Sequence, residues 1–157
     1  MPPTQTPALP HPHTPTPAPA LRRLDALVGV WQLSGRTSGS AEDDISGRST
    51  FTWLAGGFFL QCAGEISVGH LRVASLELIG YDPASDTFPS KVYSNLSGEV
   101  SPYFWDVQGR VVTHWMATSK YTGALSLDGR TLTGGWRPTD GSLNPDATYD
   151  AVMTRLD

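Results

Sequence analysis

Leu21-Arg22-Arg23-Leu24-Asp25-Ala26-Leu27, followed almost at once by Gly29-Val30-Trp31, is a short apolar helical run that feeds a glycine-led strand. From Gly29 to the C-terminus the chain then alternates strand and turn signals at the spacing of an all-β sandwich or barrel. Expected strands cover residues 30–36, 49–54, 58–62, 73–81, 88–94, 103–107, 111–117, 121–127, 131–137 and 148–156. Between Trp53 and Phe58 lies Leu54-Ala55-Gly56-Gly57, where glycine supplies the positive φ of a tight hairpin. Asp82-Pro83-Ala84-Ser85-Asp86, Gln108-Gly109 and Asp128-Gly129 mark further turns, with proline presetting φ in the first and Asp-Gly the strongest short hairpin signal.

Each strand is thus expected to pair with the next, and no helical segment of 10–15 residues separates them. Such a meander loses its exposed edges by closing into a barrel. The reading is an all-β, antiparallel up-and-down barrel of about ten strands, spanning residues 21–157, with one short N-terminal helix.

Residues 1–20 carry eight prolines among threonine and alanine. They lack the charged and apolar regions of an export signal and are expected to form a disordered or polyproline-like tail. With 157 residues and 39% hydrophobic content, the chain can bury a core without metal or disulfide staples. A net charge of −4 and no basic cluster longer than Arg22-Arg23 argue against nucleic acid as a partner. No apolar run approaches the ~20 residues of a membrane span. The single cysteine, Cys62, cannot form an internal disulfide, which fits a soluble, cytoplasmic setting. Cys62 is expected to be a small buried strand residue. Asn95-Leu96-Ser97 matches a glycosylation acceptor, which has no use without export.

Gly29-Val30-Trp31, Phe51-Thr52-Trp53-Leu54-Ala55-Gly56-Gly57-Phe58-Phe59-Leu60, Ile79-Gly80-Tyr81-Asp82 and Leu132-Thr133-Gly134-Gly135-Trp136 carry a resemblance to a functionally uncharacterised bacterial family of small lipocalin-like, calycin-type β-barrels. The likeness covers about residues 21–157, and more distantly the chain resembles the nitrobindin-type haem-binding barrels. The resemblance implies a closed barrel with an internal cavity. By lipocalin analogy it implies that Trp31 packs at the closed end against a late-strand cation, which Arg155 matches by position. It supplies no reaction. The nitrobindin-type haem ligand lies near the C-terminus, but residues 148–157 contain no histidine, so no cofactor is expected and haem is disfavoured.

Strand alternation sorts the candidate chemistry into faces. Glu77 shares a face with Val73, Ser75, Ile79 and Tyr81; Ala74, Leu76 and Leu78 occupy the other. Both faces are partly apolar, so alternation leaves the inside undecided. Inward, Glu77 would be a pKa-perturbed acid, base or polar anchor; outward, a solvated charge. His114 lies on the face of Val112 and Met116, where it could shuttle a proton, ligate haem iron or serve as a satisfied core histidine. His70 is an isolated loop residue, and no metal motif is present.

The aromatic strand residues Trp53, Tyr81, Tyr93, Tyr103 and Trp115 are, with Glu77 and His114, the candidate lining of a cavity for a flat or apolar molecule. Trp105, Tyr121, Trp136 and Tyr149 belong to the same aromatic population without being singled out. The leading expectation is binding of a small hydrophobic or aromatic molecule, with no metal. The alternatives are an acid–base enzyme of isomerase or cyclase type using Glu77, His114 or a pocket tyrosine, and a haem-binding barrel with His114 as ligand.

Overall fold

A computed structural model describes residues 14–157. Ten antiparallel strands, β1(Gly29–Thr37), β2(Ile45–Trp53), β3(Leu60–Val68), β4(Leu71–Ile79), β5(Phe88–Ser94), β6(Ser101–Gln108), β7(Val111–Trp115), β8(Ser119–Leu125), β9(Thr131–Pro138) and β10(Tyr149–Arg155), follow one another around a closed barrel. Every strand pairs with its sequence neighbours, and β1 pairs with β10 to close the seam, where Trp31 opposes Arg155 and Thr37 opposes Tyr149. Closure leaves no sheet edge exposed.

The short N-terminal helix is present, of 3₁₀ type, and starts earlier than the sequence reading placed it. Pro19–Leu27 winds as a 3₁₀ helix, so it begins two residues inside the stretch assigned to the tail. Proline is well tolerated there because the first turn needs no backbone donor. At three residues per turn, Leu21, Leu24 and Leu27 eclipse one another on one face, and all three are buried. That face plugs one end of the barrel against Trp31, Phe51, Leu60, Ile79 and Phe88. The rest of the tail assignment, residues 1–13, lies outside the described residues, as do His11 and His13.

The plug is pinned from the outside by Arg23, whose guanidinium donates to Val107 O at 3.1 Å, Asp86 Oδ1 at 2.8 Å and Asp106 Oδ1 at 2.5 Å, and stacks over Phe88 at 4.8 Å.

Several strand limits also depart from the sequence reading, most of all around β2 and β3, and β4 runs from Leu71 to Ile79 and stops short of Tyr81. The hairpin after Trp53 is wider than its two glycines suggest: Leu54 N donates to Phe59 O, and the return strand starts at Leu60. It then continues to Val68, through residues whose small and polar character hid the strand. Residues 45–48 extend β2 for the same reason. Gly56 and Gly57 sit at φ of 93° and 75° in that turn, the left-handed conformation expected of them.

Alternation makes the inside explicit. At the helix end the inward residues Trp31, Leu60, Ile79, Phe88 and Val112 are all fully buried. At the opposite end several inward residues, among them Ile66, Val68, Val73, Ser75, Val92, Tyr103, Trp136 and Tyr149, are only partly covered. The barrel is therefore floored at one end by the helix plug and its apolar layer, while at the other end Leu33, Ile45 and Ala151 form a second buried cluster beside these partly covered residues.

Candidate functional site

β4 crosses the wall of the barrel, and its inward face is the one carrying Val73, Ser75, Glu77 and Ile79. Glu77 is therefore interior, at 6% exposure. Three neighbouring strands aim donors at one of its oxygens: Ser90 Oγ on β5 at 2.5 Å, Trp105 Nε1 on β6 at 2.7 Å and His114 Nε2 on β7 at 3.2 Å, all to Oε2. Among the described residues nothing donates to Oε1. Burial pushes the carboxyl up, but the adjacent His114 and the bonds from His114, Ser90 and Trp105 outweigh it and hold Glu77 below its ordinary value. Glu77 is thus an ionised carboxylate in the barrel interior. Burial of a charge in this way is tolerated because three donors converge on Oε2.

His114 is enclosed by rings. Its imidazole stacks on Trp105 with centroids 3.7 Å apart and planes 15° from parallel, and it meets Tyr103 at 5.1 Å and Trp136 at 5.2 Å. These contacts fix the plane of the ring, and the hydrogen bond to Glu77 engages its Nε2. Tyr103 and Tyr149 stand near the rim; burial pushes both hydroxyls up, that of Tyr103 with help from the Glu77 charge and that of Tyr149 with help from its tyrosine neighbours. Cys62 opposes Glu77 on β3, and burial together with the Glu77 charge pushes its thiol up to about 12. It is an inert wall residue, not a nucleophile.

The structure brings Glu77, His114 and Tyr103 together and separates the other candidates from them. Tyr93 projects from the outer face of β5, half exposed, because one position along a strand reverses the face. Trp115 is likewise on the outside, one residue from His114, where it stacks on Phe104 at 5.6 Å beneath Lys120. Trp53 and Tyr81 lie at the plugged end. Trp53 Nε1 donates to Asp25 Oδ1 of the helix at 2.8 Å. Tyr81 lies beyond the end of β4, packs on Phe88 and donates its hydroxyl to Asp86.

Four residues missing from the candidate set belong in its place: Ser90, Trp105, Trp136 and Tyr149. The inward alternation Phe88, Ser90, Val92 on β5 and Tyr103, Trp105, Val107 on β6 was available, but choosing the inward face required knowing the pairing.

Tyr121, on β8, lies against the inner wall in a hollow left by glycine: a Cβ on Gly123 would stand 2.4 Å from its hydroxyl, and one on Gly134 2.8 Å. That hydroxyl is buried without a partner among the described residues, and burial pushes it up to about 12. Outside the barrel, a shallow groove of about 550 Å³ crosses β1, β10 and β9 over Gly35, Gly134 and Gly135. Its charges Arg137 and Asp150 pair with each other at 2.7 Å, and it is separated from Glu77 and His114 by the sheet. Among the described residues no group of three or more His, Cys, Asp or Glu side chains is arranged to hold a metal ion, and no helix is long and apolar enough to cross a membrane.

The sequence pattern of DUF1579, described as a protein of unknown function, matches residues 16–154. No curated protein matches the chain. Among solved structures, the chain is similar to the crystal structure of Rv2717c from M. tuberculosis, at 16% identity and a TM-score of 0.58, over 90% of this chain and 99% of that one. At that identity the likeness concerns the fold alone.

Proposed function

Because the chain belongs to the DUF1579 family, whose description carries no activity, we propose from the site itself that the barrel is a cup, entered from the end away from the helix, that binds a small, flat, largely apolar molecule. The molecule would lie among the rings of Tyr103, Trp136 and Tyr149 and direct a polar group to the Glu77–His114 floor. The observation that carries this reading is a gradient of burial on the side of the barrel away from the Leu33–Ile45–Ala151 cluster: the inward residues Ile79, Phe88, Val112 and Leu132 are sealed at the helix end, whereas Val73, Val92, Tyr103 and Trp136 are partly uncovered at the other. Aromatic walls with few convergent polar groups are the usual make-up of a small-molecule site.

The same reading takes the barrel as lipocalin-like and calycin-type, supported by the Trp31–Arg155 pair at its plugged end. It takes the protein as cytoplasmic, supported by the single, unpaired Cys62. It assigns no nucleic acid partner and no cofactor.

The test uses N-phenyl-1-naphthylamine, an uncharged flat fluorophore, titrated into the full chain. Saturable binding that quenches tryptophan fluorescence is expected. Val92 lies beside Glu77 on the inward face of β5, so Val92→Trp should fill the space above the dyad and weaken binding at least ~10-fold, the scale of one lost apolar contact surface. Tyr93→Ala, on the outer face, should leave affinity unchanged. Equal affinity in wild type and Val92→Trp would put the probe elsewhere and remove the cup reading.

A further inference from the structure

We infer that Glu77 and His114 form a general-base dyad at the floor of the cup, placed to take a proton from a small planar carbon or oxygen acid. The inference rests on the cup reading and adds a reaction to it. An ionised carboxylate can only accept hydrogen bonds. Because Glu77 Oε2 already accepts from Ser90 Oγ and Trp105 Nε1 and faces His114 Nε2 at 3.2 Å, that nitrogen carries a proton, and whenever the ring is neutral Nδ1 is the bare acceptor. Among the described residues no donor reaches Nδ1, and the one buried side-chain polar atom without a partner is Tyr121 Oη. An unpartnered Nδ1 that is not fully buried, on an inward-facing side chain, has only the open interior to face.

The surroundings suit a base that becomes a cation. Glu77 stabilises the imidazolium that forms and holds the ring in one tautomer, the service a buried carboxylate performs for a catalytic histidine. The faces of Trp105, Tyr103 and Trp136 favour the same charge. If Glu77 served only to satisfy Ser90 Oγ and Trp105 Nε1, a neutral amide oxygen would do so without burying a charge. The ionised group is explained by the imidazole beside it.

In the step itself, the substrate proton passes to Nδ1 and the electron pair of the broken bond stays on the substrate as a delocalised anion. Tyr103, whose hydroxyl has no partner among the described residues, stays protonated at neutral pH and can donate to that anion. The proton then returns from Nδ1 to another atom of the same molecule, a net 1,3-shift that needs no oxidant or co-reactant.

The test is the ring opening of 5-nitrobenzisoxazole by the full chain, a flat uncharged probe that needs a base alone. The base takes the C3 proton, the C–H electron pair completes the nitrile, and the N–O bond breaks with its pair on oxygen, releasing the coloured 2-cyano-4-nitrophenolate. Saturable turnover above that of free imidazole at equal concentration is expected. His114→Gln should cut kcat by ~10²–10⁴-fold with KM nearly unchanged. His114→Gly should regain rate on addition of imidazole, which the space beside Trp105 can hold. Glu77, a positioning residue, should lower kcat and spare KM when changed to Gln.

Binding of N-phenyl-1-naphthylamine by each variant reports that the cup is folded. Binding without base-dependent turnover in wild type, or turnover that survives in a folded His114→Gln protein, overturns the dyad and leaves the cup standing. Absence of saturable probe binding in wild type overturns both.

Discussion

Arg155 lies over the Trp31 ring with its Cζ 4.3 Å from the centroid, and the two residues are register partners across the β1–β10 seam. Both also reach the end of the 3₁₀ helix. Trp31 Nε1 donates to Leu27 O at 2.8 Å, and Arg155 donates through Nη2 to Ala26 O at 2.9 Å and through Nη1 to Val28 O. The last carbonyls of a helix have no partner within it. Here the first and last strands of the barrel supply the donors, so closing the seam and seating the plug are one structural event.

Trp31→Ala should therefore destabilise the protein by about 3–5 kcal/mol, the range for deleting a large buried aromatic. Urea denaturation measures it. The folded fraction should still bind the uncharged fluorophore with near wild-type affinity, because Trp31 is at the plugged end. A variant of unchanged stability that had lost binding would place Trp31 in the site instead.

Leu24, fully buried at the centre of the helix face, tests whether the plug belongs to the core. Leu24→Ala should cost about 2–5 kcal/mol. A loss well below ~1 kcal/mol in the same denaturation experiment would mean that the helix merely rests on the barrel.

Tyr121→Phe should raise stability. A buried hydroxyl without a partner costs about 1–3 kcal/mol, and the phenyl ring keeps the packing against Gly123, Gly134 and Trp136. The melting temperature is expected to rise by a few degrees. A fall would show that the hydroxyl has a bonded partner in solution.

Glu77 should make stability fall in acid. Its folded-state pKa is depressed, so its contribution is present above the ordinary glutamate value of about 4.3 and is lost as pH drops through the lower folded value. Glu77→Gln should be less stable than wild type at neutral pH, and the gap should narrow below about pH 4. Asp44, Asp82, Asp86, Asp128 and Asp140 are depressed too, but they act equally in both proteins and cancel in the comparison. A gap that stays constant from pH 7 to pH 3 would contradict an ionised Glu77.

Strand order, the number of strands and most turns were legible in the sequence because their causes are local. Glycines at positive φ, Asp-Gly, the Asp82–Asp86 turn and runs of β-branched and aromatic residues act within a few positions of themselves. The 3₁₀ helix was legible only as a helix. Its three-residue leucine spacing gains meaning when one flat face has a barrel end to close.

The site was legible in part. Glu77 and His114 stood out as titratable strand residues with apolar neighbours, but so did the aromatic residues Tyr93 and Trp115, which lie outside. Both faces of β4 to β7 carry large apolar groups, with Leu76, Tyr93, Phe104 and Trp115 on the outer wall, so the usual polar-out contrast that reveals a face is missing.

What the sequence by itself determined is thus the meander: ten short strands in chain order, each folding back on the last, a consequence of short-range turn geometry. What only the tertiary structure decided is which alternate set of side chains faces inward, and hence that Glu77 and His114, 37 positions apart, share a hydrogen bond. Strand alternation offers two equivalent choices, and closing the seam between β1 and β10 around the leucine plug selects one of them for every strand at once.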